Sequence, residues 1–481
     1  MRNLTRFTTV CLVLFGVLGC TQPTPLAIFV TATPEPQAVT AFPTVILPTS
    51  PTPPASENPL QPTVTFMGSV VQPGYIAPTV PPTVAESTPT PLDAQPTVSP
   101  ILPTDVFSAT QTPMPLRSGT SLPPLDTSKL GIQTISFLGE EDWREVIHQV
   151  DSDLQMSWLK LQISWEFYQP NNASEITEDF RRLEIFLEQA RQQQQIKVLI
   201  SIVHAPDWAR TSRTDEGPPD DPQALANFIS LLLNEMGQGI DAVEVWNEPN
   251  LIREWTGQPM NGAQYMRYFS SSYDAIRAFS PNITVVSAGL APVADLDGTR
   301  DDRAYLREMY SAGLADPRYQ NIAVGVHPYG WGNPPDSRCC DLSPERGWDE
   351  APQFFFLNTL DDYRQIMNNS GHSAVTLWVT EFGWATWEGL PGNAPEVWMT
   401  YNDKWDQANY GLRAIEIMNS RSDIGAMFLW NLNFAQPILI EQRNERASYS
   451  IVLPEGVPRE RPLYWMLYDA VRPNEELARY D

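Results

Sequence analysis

The chain has little cysteine: four residues in 481, too few to build a disulfide scaffold. Two of them, Cys339 and Cys340, are adjacent. They are expected to bond to each other, to stay thiols or to pair between chains. With no CxxC spacing and no histidine beside them, they do not make a zinc site. Positive charge is scarce as well. Thirty-one Lys and Arg face 57 Asp and Glu, a formal net charge of −26, which argues against nucleic acid and anionic membrane surfaces as partners. No glycine-rich phosphate loop follows the first candidate strand, which weighs against a nucleotide fold. The apolar stretch near the start, "FTTVCLVLFGVLGC", is too short to span a bilayer comfortably.

That stretch follows a short basic region, Arg2 and Arg6, and has the layout of an export signal covering residues 1–20. Its end, "VLGC", resembles the bacterial lipoprotein lipobox, with small Gly19 directly before Cys20. The resemblance implies cleavage before Cys20, acylation of that cysteine, and an exported protein held at the membrane through its lipid. An ordinary secretory signal or an uncleaved anchor is the alternative, and either also exports the chain. Residues 21–126 then change character. Residues 21–125 hold 24 of the 46 prolines and no lysine, in repeated Thr-Pro units such as "TPTPLDAQPTV". Proline lacks an amide donor and fixes φ, so this segment is expected to be a disordered, extended spacer.

Residues 127–481 turn regular. Eight short apolar runs recur: "IQTISF" (132–137), "WLKLQIS" (158–164), "KVLISIV" (197–203), "AVEVW" (242–246), "ITVVSA" (283–288), "IAVGVH" (322–327), "AVTLWVT" (374–380) and "GAMFLW" (425–430). Amphipathic stretches separate them, such as 178–194 and 221–236, the second opening on the helix-start pair Asp-Pro. Eight strand–helix repeats point to an α/β fold, a (β/α)8 TIM barrel, with several long βα loops because 355 residues exceed the usual ~250.

In such a barrel the site lies at the C-terminal ends of the strands. Glu248 falls just past the fourth run, in "VEVWNEPNL", and Glu381 just past the seventh, in "LWVTEFGW". Two carboxylates meeting at one barrel mouth are what glycosidic bond cleavage needs, one to protonate the leaving oxygen and one to meet the anomeric carbon. "WNEPN" and "TEFGW" resemble the paired signatures of glycoside hydrolase clan A, whose members are retaining barrel enzymes, and the resemblance implies cleavage of O-glycosidic bonds in an oligo- or polysaccharide substrate. "VHAPDWAR" and "VEVWNEPNL" lean toward the β-xylosidase and α-L-iduronidase-type family or a cellulase-like relative.

The resemblance implies that Glu248 is the acid/base and Glu381 the nucleophile, with Asn247 binding the sugar 2-hydroxyl. A general acid needs a raised pKa, so Glu248 is expected to have one. In "VGVHPYGW" the resemblance implies that Tyr329 hydrogen-bonds the nucleophile and His327 lines the sugar subsite. Trp430 in "FLWNLN" reads either as a floor beneath the cleaved sugar or as a core tryptophan. His204 in "SIVHAPDWAR" reads either as a sugar contact or as a packed residue. Many clan members carry an arginine on strand two near the nucleophile; here the place falls to Lys160 or to Gln162. Trp384, with Trp165, Trp208, Trp255, Trp331, Trp348, Trp387 and Trp430, lies at or beyond a strand end, where a flat ring suits either a sugar face or loop packing. No metal or organic cofactor is implied. A transglycosylase with the same site, or a non-catalytic sugar-binding or adhesion barrel, would carry much of the same pattern.

Overall fold

The computed structural model describes residues 124–473 apart from 137, 195, 214, 341–349 and 455–458. The expected export signal with Cys20, nearly all of the expected spacer, and Trp348 lie outside the described residues. The expected barrel is there. Strands β1 (Leu130–Thr134), β2 (Trp158–Ser164), β3 (Lys197–Val203), β4 (Ala242–Val245), β5 (Thr284–Ser287), β6 (Ile322–Val326), β7 (Leu377–Phe382) and β8 (Ile424–Leu429) form one closed parallel sheet in chain order. The pairing of Gly131 with Phe428 is part of the seam that closes it. Bonding to the fold begins slightly before the expected boundary: Leu125 N donates to the carbonyl of Ala470 at 2.9 Å.

The helices start where local chemistry dictates. Asp221 accepts from the amide of Gln223 ahead of Pro222–Met236, so the Asp-Pro pair supplies both the cap and the first residue of that helix. Asn261 caps Gly262–Phe279, Asp301 caps Asp302–Ser311, and Asp403 with Asp406 forms a capping box on Lys404–Asn419.

Side chains alternate along each strand, which sorts the barrel interior into layers. Trp158, Leu199, Ala242, Val286, Ala323, Trp378, Ala426 and Phe428 pack together as an apolar plug. Two residues further along β2, β4 and β7 come Lys160, Glu244 and Thr380, all fully buried. Apolar residues thus floor the barrel, and a charged layer sits between them and the mouth.

Candidate active site

Glu381 lies within the last residues of β7, not beyond it. Val379 pairs with Met427 and Phe382 with Leu429, so three steps on β7 oppose two on β8. The extra residue is a bulge at Thr380–Glu381, a device that re-aims a side chain at a barrel rim. Lys160 Nζ lies 3.1 Å from Glu381 Oε1, 3.1 Å from Glu244 Oε2 and 3.1 Å from the carbonyl of Thr380. Tyr329 donates its hydroxyl to Glu381 Oε2 at 2.8 Å. Burial would lower the Lys160 pKa, but the charges of Glu244 and Glu381 outweigh it and raise it, so the ammonium stays charged. Between the two candidates on strand two, Lys160 is the one that reaches Glu381. Gln162 instead accepts from Gln133 at 3.2 Å.

Glu248 sits in a strained turn. Trp246 and Glu248 have φ of +73° and +43°, the left-handed region that bulky residues avoid. Packing holds them there. Trp246 is fully buried, donates Nε1 to the carbonyl of Glu254 at 2.9 Å, and meets Trp255 edge to face. Glu248 N donates to Gly289 O at 3.0 Å, and Leu251 N closes the turn onto Glu248 O at 3.0 Å. A Cβ at Gly289 would collide with the His327 ring and Thr380, so only glycine lets the imidazole in. His327 Nδ1 then stands 3.0 Å from Glu248 Oε1, and its Nε2 3.0 Å from Thr380 Oγ1. Arg253 Nη2 donates to Glu248 Oε2 at 3.3 Å.

This environment corrects the expectation of a raised Glu248 pKa. Burial does push that carboxyl up, but the His327 hydrogen bond and charge, with Arg253, pull harder and leave it lowered. His327 moves the opposite way: burial disfavours its charge, and Glu381 and Glu248 raise it nonetheless. The two shifts share one cause, the contact between the His327 ring and the Glu248 carboxylate.

The two carboxylates converge. Ligand atoms of Glu248, His327 and Glu381 all lie within 4.8 Å of one another. One oxygen of each carboxylate is thus close enough to its counterpart for both groups to reach a single anomeric centre. A small cleft opens beside them, lined by Glu248, Leu251, Arg253, Ala291, Pro292, Val293, Tyr329, Trp331 and Tyr449.

The remaining expected residues divide. Asn247 is 5% exposed, and its Oδ1 is buried with no hydrogen-bond partner among the described residues. Trp430 is partly exposed, edge-on to Tyr329 at 6.0 Å, with Nε1 likewise without a hydrogen-bond partner. His204 stands one step away: Nδ1 is 3.3 Å from Ser164 Oγ, and Nε2 meets the carboxylates of Glu216 and, at 3.8 Å, Glu254. Trp384 requires correction. It is 1% exposed, donates Nε1 to Asn333 O at 2.9 Å and packs against Phe356 and Tyr410, so its ring holds loops together and offers no face to a sugar. Trp165, Trp255 and Trp387 are buried too, whereas Trp331 lines the cleft. Cys339 and Cys340 are bonded to each other.

Several site residues escaped the sequence reading. Glu244 had a signal, since a carboxylate inside the apolar run "AVEVW" needs a buried cation. Arg253, Glu254 and Tyr449 lie in aperiodic loops that carry no such mark. As for metals, Glu166, His204 and Glu216 bring ligand atoms within 4.8 Å of one another, but an ion-pair network has the same spacing.

No family model and no curated protein matches this chain. Solved structures do resemble it. A family 39 glycoside hydrolase from the gut symbiont Bacteroides cellulosilyticus WH2 is 17% identical, with a TM-score of 0.52 over 72% of this chain and 63% of that one. The chain thus spans less than two thirds of that neighbour's length. A β-glycosidase, BGL167, is 14% identical, with a TM-score of 0.50 over 75% of this chain and 100% of that one. At such identities the likeness establishes the fold: the barrel expected from the eight strand–helix repeats is the barrel of these glycoside hydrolases.

Proposed function

We propose that the chain is a retaining glycosidase that hydrolyses O-glycosidic bonds of a carbohydrate substrate through Glu381 and Glu248. The observation that carries this is the approach of the two carboxylates to within 4.8 Å at the C-terminal mouth of the barrel. Glu381 attacks the anomeric carbon as the bond to the leaving oxygen breaks, and Glu248 gives that oxygen a proton. Glu248 then takes a proton from water, the water oxygen attacks the same carbon, and the bond to Glu381 breaks. Lys160 and Tyr329 fix the two oxygens of Glu381 between them, and Lys160 adds positive charge where the nucleophile works. His327 Nδ1, 3.0 Å from Glu248 Oε1, holds the proton that Glu248 delivers. Asn247 is assigned to the 2-hydroxyl, Trp430 to the floor of the sugar site and His204 to its outer rim.

A panel of aryl glycosides tests this reading. Wild type should turn over at least one, and Glu381→Ala should lose that activity and regain turnover with azide, giving a glycosyl azide of inverted configuration. A wild type that binds glycans but cleaves none of them would instead be a sugar-binding barrel. We further propose export of the protein and anchorage by lipid at Cys20, supported by "VLGC" alone. Incorporation of labelled palmitate that survives Cys20→Ala would count against it.

A further inference from the structure

We propose that a divalent transition-metal cation, Zn²⁺ or Mn²⁺, binds at the outer rim of the mouth, where Glu166, His204, Glu216 and Glu254 converge; this holds whether or not the chain is a glycosidase. Three consecutive strand ends supply the ligands. Glu166 lies in the short helix Trp165–Tyr168 after β2, and His204 follows the last residue of β3. Glu216 lies in the loop after β3, and Glu254 ends the turn Ile252–Glu254 after β4. Backbone hydrogen bonds lock these segments to one another. Glu166 N donates to His204 O at 2.9 Å, Ala205 N to Gly217 O at 3.2 Å, and Thr256 N to Glu216 O at 3.1 Å. The fold therefore gathers the ligands before any ion arrives.

Spacing alone does not distinguish a cation site from an ion-pair network, and the trio of Glu248, His327 and Glu381 is spaced like Glu166, His204 and Glu216. Their partners differ. In the catalytic trio both ring nitrogens and all four carboxylate oxygens are engaged, with one another or with Lys160, Tyr329, Thr380 and Arg253. The outer group is short of donors. Glu254 is 8% exposed, yet its Oε2 accepts no hydrogen bond among the described residues, and the His204 Nε2 it faces is 3.8 Å away. Arg253 Nε stays 3.6 Å from the other oxygen. Neither Glu166 nor Glu216 forms an ion pair with a lysine or arginine among the described residues. Arg210, and for Glu216 also Arg446, act on them from further off. A buried carboxylate oxygen without a donor is unfavourable, and a cation beside it removes that cost. His204 is oriented for ligation. With Nδ1 donating to Ser164 Oγ at 3.3 Å, Nε2 is the nitrogen turned to the carboxylates, and a cation there takes the place of a proton. Metal–ligand bonds of ~2.0–2.2 Å put ligand atoms roughly 3–3.5 Å apart. Glu166 and Glu216 are exposed, so rotation of their side chains can supply this spacing. One imidazole among carboxylates suits Zn²⁺ or Mn²⁺, whereas Ca²⁺ and Mg²⁺ favour oxygen ligands alone.

The untagged full chain, stripped with a chelator, is titrated calorimetrically with ZnCl₂ and MnCl₂. CaCl₂, MgCl₂ and glucosamine are run alongside, and thermal unfolding gives a second readout. We expect one Zn²⁺ or Mn²⁺ per chain and a Tm that rises with its concentration. Glu216→Gln should weaken binding by about tenfold or more, and Glu254→Gln, which removes the charge behind the orphaned oxygen, by a similar factor. Should Glu254→Gln not fold, as judged by its thermal transition without metal, Glu216→Gln carries the test, since that side chain is 49% exposed. A wild type that binds neither ion at ~1 mM overturns the proposal. So does binding that the folded variants leave unchanged, which puts the ion elsewhere. Calcium or magnesium binding as tight as zinc and manganese overturns the imidazole ligand and the assignment with it. Stabilisation by glucosamine and by no metal would instead make the cluster a subsite for an amino sugar. None of these readouts depends on turnover, so the glycosidase reading stands or falls separately.

Discussion

Replacing Lys160 with methionine keeps the length of the side chain and removes its charge and its three polar contacts. Glu244 and Glu381 are then left facing each other in a layer closed to water, with Glu244 and Lys160 both fully buried. Breaking a buried ion pair by deleting one partner costs about 3–5 kcal/mol. Proton uptake limits that cost. Neutralising a carboxylate of ordinary pKa 4.5 at pH 7 takes about 3 kcal/mol at ~1.4 kcal/mol per unit, so the cheaper escape for Glu244 is to fold protonated. At pH 5 the same step takes under ~1 kcal/mol. The sign follows. In wild type the folded Glu244 pKa is lowered, because Lys160 and His327 outweigh the burial that raises it. Its contribution is therefore present above 4.5 and is lost only as pH falls through the folded value. In Lys160→Met that pKa is raised instead, so the variant gains stability as pH falls from 7 toward 4.5. Denaturant unfolding of the two proteins at pH 7 and pH 5 should give a gap of about 3 kcal/mol that shrinks to about 1, and Glu244→Gln on the Lys160→Met background should recover much of it. A gap below ~1 kcal/mol at pH 7, or one unchanged at pH 5, would refute the buried-charge reasoning.

Further outcomes are expected from neighbouring residues. Because the His327 pKa is raised, the proton it shares with Glu248 should survive above the ordinary imidazole value of 6.5 and be lost as pH rises through the folded value. The alkaline limb of kcat/KM should accordingly lie above 6.5 and move in His327→Gln; an unmoved limb assigns it to another group. Asn247→Ala should cost about 2–4 kcal/mol in transition-state stabilisation on a 2-hydroxy glycoside and little on its 2-deoxy analogue, which paired kinetics would read. Trp384→Phe orphans the Asn333 carbonyl and should lower stability by about 1–3 kcal/mol in thermal or denaturant unfolding. Its KM should stay put, and a KM rise without loss of stability would return Trp384 to the sugar site.

Much of this architecture was legible because period and capping are local. β2 and β3 fall at 158–164 and 197–203 as read, and the helix over 178–194 begins and ends as its pattern implies. β7 was misplaced by a few residues, since a bulge carries an extra residue that no alternation reveals, and this puts Glu381 inside the strand. Glu248 and Glu381 could be named because each sits beside a strand end in a distinctive local motif. What holds them could not be named so easily. Lys160 lies 221 positions from Glu381, and which way its side chain points is set by closure of the sheet. The direction of the Glu248 pKa shift was misread for the same reason: burial is foreseeable from a buried strand end, whereas Arg253 and the Nδ1 face of His327 arrive only with the folded loops. Trp331 lines the cleft and Trp384 does not, a difference set by the folded loops, and sequence position alone treats them alike.

Covalent trapping decides the central point. The 2-deoxy-2-fluoro glycoside of the accepted sugar, given a good leaving group, should stall the enzyme as a glycosyl ester, and peptide mapping should find the label on Glu381. Label on Glu248 or on another carboxylate, or a product formed with inversion and no adduct at all, would contradict the assignment.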